Sequence, residues 1–137
     1  MNMIAILSKS ILFRNIPESD ISGLLETTAY RVASYRPKDI IALQGTPCNY
    51  LMIVLNGLLQ GQMVNDAGKL VVIEELEAAQ LLAPAFLYAP KNNLPVNIIA
   101  MEPSEILFIH RDDFTVWMQQ NRQLLQNFLM LISGRSH

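Results

Sequence analysis

The chain has 137 residues, 51% of them hydrophobic and 16% charged, with one cysteine and a net charge of −2. That length suits one domain with a sizeable core, the lone Cys48 excludes an internal disulfide, and ten scattered Lys and Arg residues exclude strong nucleic-acid binding by this segment, since such affinity comes largely from basic groups neutralising phosphates. No apolar run approaches the roughly 20 residues that span a bilayer, and the N-terminus lacks a signal peptide's basic flank and cleavage site, so a cytoplasmic protein without a membrane partner is expected.

Met3, Ile4, Leu7, Ile11 and Leu12 recur at helical spacing, which predicts a first helix from Met3 to Leu12. Pro17 followed by Glu18 and Asp20 marks a second helix start, with Ile21, Leu24 and Leu25 on one face and fraying by Thr27 and Thr28. Both read as lids over a sheet. From Ala29 the period changes to two. Strands are expected around Tyr30 to Tyr35 and Ile40 to Leu43, separated by turns at Arg36 to Asp39 and Gln44 to Pro47.

Leu51 to Leu55 is apolar at every position, so this strand is expected to be buried on both faces. Asn56-Gly57 then reads as a two-residue type I′ hairpin turn, because both residues tolerate positive φ. The returning arm alternates, with Leu59, Gly61 and Met63 facing one way and Gln60, Gln62 and Asn65 the other. After a turn at Asn65 to Lys69 comes a strand at Leu70 to Ile73. Ala83 to Ala89 predicts one short inserted helix, with Pro84 at its start and Pro90 as its stop. Strands at Pro95 to Met101 and Glu105 to Ile109 complete the set. Helical spacing returns with Phe114, Trp117 and Met118, and Asn121 is placed to cap a last helix carrying Leu124, Leu125, Phe128, Leu129 and Ile132. The expected fold is mainly β: an antiparallel jelly-roll sandwich with flanking N- and C-terminal helices.

This order of helices, eight or so short strands, one inserted helix and a helical tail resembles the sensor domain of the Crp/Fnr family of bacterial transcription regulators, which has a cyclic-nucleotide-binding fold. The residues carrying the resemblance are Leu12-Phe13-Arg14-Asn15-Ile16-Pro17 at the entry to the second helix, and Tyr35 to Ile41 with Gly45 at the first sheet corner. Tyr50, Val54, Gly57 and Gly68 follow in the central strands, then Ala100 to Leu107 with Phe114. The resemblance implies a sensor roll over residues 1–120 and the start of a dimerisation helix over 121–137, with DNA contacted through a C-terminal domain that has no counterpart in this chain. A homodimer is implied, and Leu124, Leu125, Phe128, Leu129 and Ile132 span more of the helix than one sheet can cover, so part of that stripe is expected to face a second copy.

Cyclic-nucleotide members of the family hold the phosphate with a cassette: a Gly-Glu pair at the inserted helix, then an Arg followed by Ser or Thr. Free helix N-terminal amides and the Arg fork bind the phosphate, and the Glu binds the ribose. Anchored on Ala100, those positions fall on Ala83, Pro84, Leu94 and Pro95, and Ala79 replaces the usual turn glycine. Between Gln80 and Ala100 the single charge is Lys91. cAMP or cGMP binding in the usual manner is therefore not expected. Leu82, Ala83, Pro84, Ala85, Phe86, Leu94, Pro95 and Val96 are read either as core filling or as the walls of an apolar effector pocket.

No catalytic residues, metal ligands or cofactor are assigned. With only His110 and His137, the multi-histidine metal site of a cupin-like enzyme cannot be assembled, and one cysteine cannot hold an iron-sulfur cluster. Haem ligation by His110 or Met101 is not excluded by these counts. The sequence therefore predicts a non-enzymatic, effector-sensing regulatory domain, with a structural dimerisation module and a cupin-like enzyme as alternatives.

Overall fold

The computed structural model describes residues 2–134. Helix α1 (Met3–Ser8) is capped by the Asn2 side chain, which accepts from the Ala5 N–H. The expected continuation to Leu12 does not occur. Ser10 breaks the helix and caps a separate 3₁₀ turn, Ile11–Phe13, whose Leu12 and Phe13 enter the core. Helix α2 (Glu18–Glu26) begins after Pro17 and buries Ile21, Leu24 and Leu25. The hydroxyls of Thr27 and Thr28 both donate to the Leu24 carbonyl and close its end.

Seven strands follow: β1 (Tyr30–Tyr35), β2 (Ile40–Ala42), β3 (Tyr50–Asn56), β4 (Leu58–Val64), β5 (Leu70–Glu77), β6 (Asn97–Ala100) and β7 (Ser104–His110). They form two antiparallel sheets, ordered β1-β7-β3 and β2-β6-β4-β5. The strand β5 runs four residues beyond the expected Ile73, and β6 starts two residues after Pro95, where a proline could not supply a ladder donor.

The expected hairpin at Asn56-Gly57 is absent. The strands β3 and β4 flank that dipeptide but lie in different sheets, and only Gly57 has positive φ, at 99°. A Cβ at Gly57 would overlap the Ser104 side chain and lie 2.6 Å from the Ser104 Cα. The Ser104 Oγ accepts from the Leu58 N–H at 3.2 Å and donates to the Glu102 carbonyl at 2.8 Å. Gly57 is thus the corner where the chain crosses between sheets, held by a residue far along the sequence.

Burial of β3 on both faces is as expected, Leu51 to Leu55 all lying in the core. Its second edge is covered by the chain after β5: Ala79 N–H donates to the Val54 carbonyl, Val54 N–H to that of Gln80, and Leu82 N–H to that of Met52. In β4, Leu59 and Gly61 are buried and Met63 half-buried, but the expected alternation is broken at Gln62, buried too where the register with β5 shifts between Gly61 and Gln62.

Helix α3 (Arg111–Gln120) starts where His110 Nδ1 accepts from the Asp112 N–H. Its Trp117 indole N–H donates to Thr28 Oγ1, which ties α3 to the end of α2. Helix α4 (Arg122–Ile132) has the expected cap, Asn121 Oδ1 accepting from the Leu124 N–H at 3.0 Å. The apolar stripe of α4 divides. Leu124 and Phe128 are 0% and 2% exposed inside this chain's own core, so they are not free for a partner. Leu125 and Leu129 remain exposed and Ile132 half-buried, and Met130 joins them on the surface. Buried Asn127 anchors the helix, its amide donating to the carbonyls of Leu12 and Arg14, each at 2.8 Å.

Candidate functional site

The segment between β5 and β6 is where the family's phosphate cassette would lie. The inserted helix is a single 3₁₀ turn, Pro84–Phe86, rather than the longer helix expected to Ala89. Leu87 is buried, the Tyr88 hydroxyl meets Thr115 Oγ1 at 2.7 Å, and Arg111 Nη1 donates to the Leu87 carbonyl at 3.1 Å. The Tyr88 ring packs edge-on against Phe128, with centroids 5.7 Å apart. This segment is therefore joined directly to both α3 and α4.

Two of its residues sit in the left-handed region without being glycine: Ala79 at φ 75° and Ala83 at φ 42°. That conformation costs an L-residue roughly 1–2 kcal/mol, partly offset by the extra unfolded-state freedom of glycine. Ala79→Gly and Ala83→Gly are each expected to stabilise the domain by about 0.5–1 kcal/mol, raising the thermal midpoint by a few degrees. A lower midpoint in either variant would show that the methyl group contributes more packing than the backbone loses in strain.

The donor set suits a phosphate poorly. Pro84 and Pro95 have no N–H to offer. The amides of Leu82, Phe86, Leu87 and Leu94 are already committed, to the carbonyls of Met52, Ala83, Pro84 and Thr46. Leu94, at the arginine position, is 3% exposed and uncharged.

Of the eight residues assigned to the apolar pocket, Pro84 and Leu94 border two different cavities. Leu82, Leu94 and Val96 are in the core, Ala83, Pro84 and Phe86 are half-buried, and Ala85 and Pro95 are exposed. Pro84 lines an open groove of about 530 Å³, together with Leu76, Ala79, Leu81, Ile11 and Leu131. Among the described residues that lining carries one cation, Lys9, and one carboxylate, Glu74. Leu94 instead borders a smaller cavity of about 210 Å³, with Met52 and Phe108. The groove's dependence on Ile11 and Leu131, from opposite ends of the chain, left no local sequence signal.

Among the described residues, no three His, Cys, Asp or Glu side chains lie close enough to hold a metal ion. The Nδ1 of His110 serves as the α3 cap, and His137 lies outside the described residues. Cys48 is 2% exposed, and burial pushes its thiol pKa up. No described helix is long and apolar enough to cross a membrane.

The family described as Cyclic nucleotide-binding domain matches residues 32–121. A transcriptional regulator from Thermotoga maritima is 31% identical over 82% of this chain and 86% of its own, with a TM-score of 0.74. The sensor domain of the transcriptional regulator DNR from Pseudomonas aeruginosa aligns over 97% of this chain and 87% of its own at 18% identity, with a TM-score of 0.80. The Catabolite Activator Protein of Thermus thermophilus aligns over 92% of this chain at 19% identity and a TM-score of 0.79, and this chain spans 58% of that protein. No curated protein matches the chain significantly. The two-sheet roll, its inserted turn and the matched stretch together place this chain in the cyclic nucleotide-binding domain family, with structural neighbours that are Crp/Fnr-type transcription regulators.

Proposed function

We propose that this chain is the effector-sensing regulatory domain of a Crp/Fnr-like transcription regulator, non-enzymatic, and that it does not take cAMP or cGMP in the family's usual manner. The observation that carries the reading is the inserted segment, which keeps its direct contacts to α4 through Tyr88 and Phe128 while offering no acid or arginine between Gln80 and Ala100. A change in that segment on ligand binding would be felt at once by the helix that pairs the two copies. The groove at Pro84 and Leu131 is the proposed effector site, and its open volume favours a sensor over a purely structural dimerisation module.

Self-association is proposed through the outer face of α4. Leu125, Leu129 and Met130 are 36%, 52% and 55% exposed. Burying one such side chain is worth about 1.5–3 kcal/mol, and a two-fold interface repeats each contact. Sedimentation velocity across a concentration series should show a monomer–dimer equilibrium for the natural chain. Leu125→Asp with Leu129→Asp should be monomeric, and at concentrations where the natural chain is also monomeric its melt should match within about 0.5 kcal/mol, because both sites are then on the surface. A natural chain that stays monomeric at high concentration, or a dimer indifferent to the two aspartates, would remove this face from the interface.

A further inference from the structure

We propose that the 210 Å³ cavity between the two sheets is a second binding site, for a small uncharged molecule of about one ring, apolar over most of its surface and carrying one hydrogen-bonding group. Its apolar wall comes from both sheets: Ile41 and Ala42 of β2, Met52 of β3, Phe108 of β7, and Leu94. It shares no lining residue with the groove at Pro84.

Three observations set the ligand's chemistry. The first is size. An apolar cavity of about 150 Å³ accepts a benzene ring, whereas pockets for drug-sized molecules start near 300 Å³, so this space fits one substituted ring. The second is charge. No ionisable carboxylate, ammonium or guanidinium lines the cavity, and the Cys48 thiol on its wall is buried and held neutral, so an ion entering would lose hydration with no partner in return. The third is the polar rim. Thr46, Asn49 and Tyr50, all exposed to solvent, form the mouth, and the Thr46 and Tyr50 hydroxyls make no hydrogen bond to the described residues, so each can exchange water for a ligand's polar group.

The walls are held before any ligand arrives. The Cys48 N–H donates to the Asn92 carbonyl at 2.8 Å, Leu94 N–H to that of Thr46 at 2.9 Å, and Gly45 N–H to that of Leu94 at 2.9 Å. The Asn92 amide adds bonds to the Cys48 carbonyl and to Asn49 Oδ1. From β1, the Arg31 guanidinium lies 4.0 Å from the centroid of the Phe108 ring on β7 and steadies that ring. A cavity stitched in this way keeps its shape when empty, so a ligand does not bear the cost of ordering it.

Phenol is the probe, one ring with one hydroxyl, and benzoate is its charged counterpart. In the whole chain with ¹³C-labelled methionine methyls, phenol should shift the Met52 methyl saturably and give intermolecular NOEs to it. Benzoate should bind about tenfold more weakly or not at all, and Ala42→Leu, which fills the space, should weaken phenol by about tenfold or more. The NOE in the natural chain decides the matter even if the leucine variant misfolds. An unsaturable shift, NOEs to other methyls in place of Met52, equal binding of benzoate, or a folded Ala42→Leu that binds phenol unchanged would each overturn the proposal. Failure here leaves the groove at Pro84 and the α4 interface untouched, since neither shares this wall.

Discussion

Phe128→Ala is expected to cost about 3–5 kcal/mol, and Phe128→Asp to abolish the cooperative melt. The ring is 2% exposed and stands edge-on to Phe114 at 5.1 Å and to Tyr88 at 5.7 Å, while Phe114 in turn packs on Trp117. Removing it opens a cavity shared by α3, α4 and the inserted turn, where its ring meets Phe114 and Tyr88. A domain of this size has a total stability of about 5–15 kcal/mol, so the alanine change removes a large share, and a buried carboxylate removes the rest. The adjacent Leu129→Asp, at a side chain 52% exposed, should leave the melt within about 0.5 kcal/mol at concentrations where the natural chain is monomeric. Circular dichroism melts of the two neighbours check this contrast. Similar losses at both positions would mean that α4 is not seated as described.

Gly57→Ala is the second large effect, with an expected loss of about 3–8 kcal/mol. Three contributions combine: a left-handed φ for a residue with Cβ, at about 1–2 kcal/mol; overlap with Ser104 backbone and side chain, at about 1–3 kcal/mol; and displacement of the hydroxyl that accepts from the Leu58 N–H, at about 1–3 kcal/mol. Gly68 supplies the control. It has φ 78° but open space where a Cβ would go, so Gly68→Ala should lose only the backbone part, about 1–2 kcal/mol. Urea denaturation of both variants separates the close approach from the dihedral. Equal losses would show that Ser104 does not hold the corner.

These two positions also show what the sequence could and could not reveal. The period-two strands, the run at Leu51 to Leu55, the Asn121 cap and the sandwich itself were readable because each rests on local periodicity or cap chemistry. Asn56-Gly57 was misread as a hairpin turn because the dipeptide meets that turn's local demands. What redirects the chain is Ser104, which fits under the bare Cα of Gly57 from 47 residues away and leaves β4 to pair with β5 and β6. The stripe on α4 was recognisable as apolar, but its division into core and surface depends on where Phe114, Tyr88 and Leu12 lie. Asn127, polar and therefore left out of that stripe, proves to be what seats the helix on the Leu12 and Arg14 carbonyls.

The candidate site was legible mainly in what it lacks. The lack of any acid or arginine between Gln80 and Ala100 is a property of the sequence, and it stands whichever way the segment folds. Which apolar residues border open space was not legible, because Leu94 and Pro84 lie on different cavities that take their other walls from distant strands and helices. Nor did the sequence show that the amides of Leu82, Phe86, Leu87 and Leu94 would already be engaged.

Calorimetric titration of the purified chain with cAMP tests most directly whether the scaffold has parted from the phosphate chemistry. With Leu94 and Pro95 at the anion-holding positions and Pro84 in the cradle, no saturable heat is expected up to about millimolar nucleotide, where the binding free energy would be only about −4 kcal/mol. A micromolar dissociation constant, lost on altering residues between Ala83 and Pro95, would contradict it.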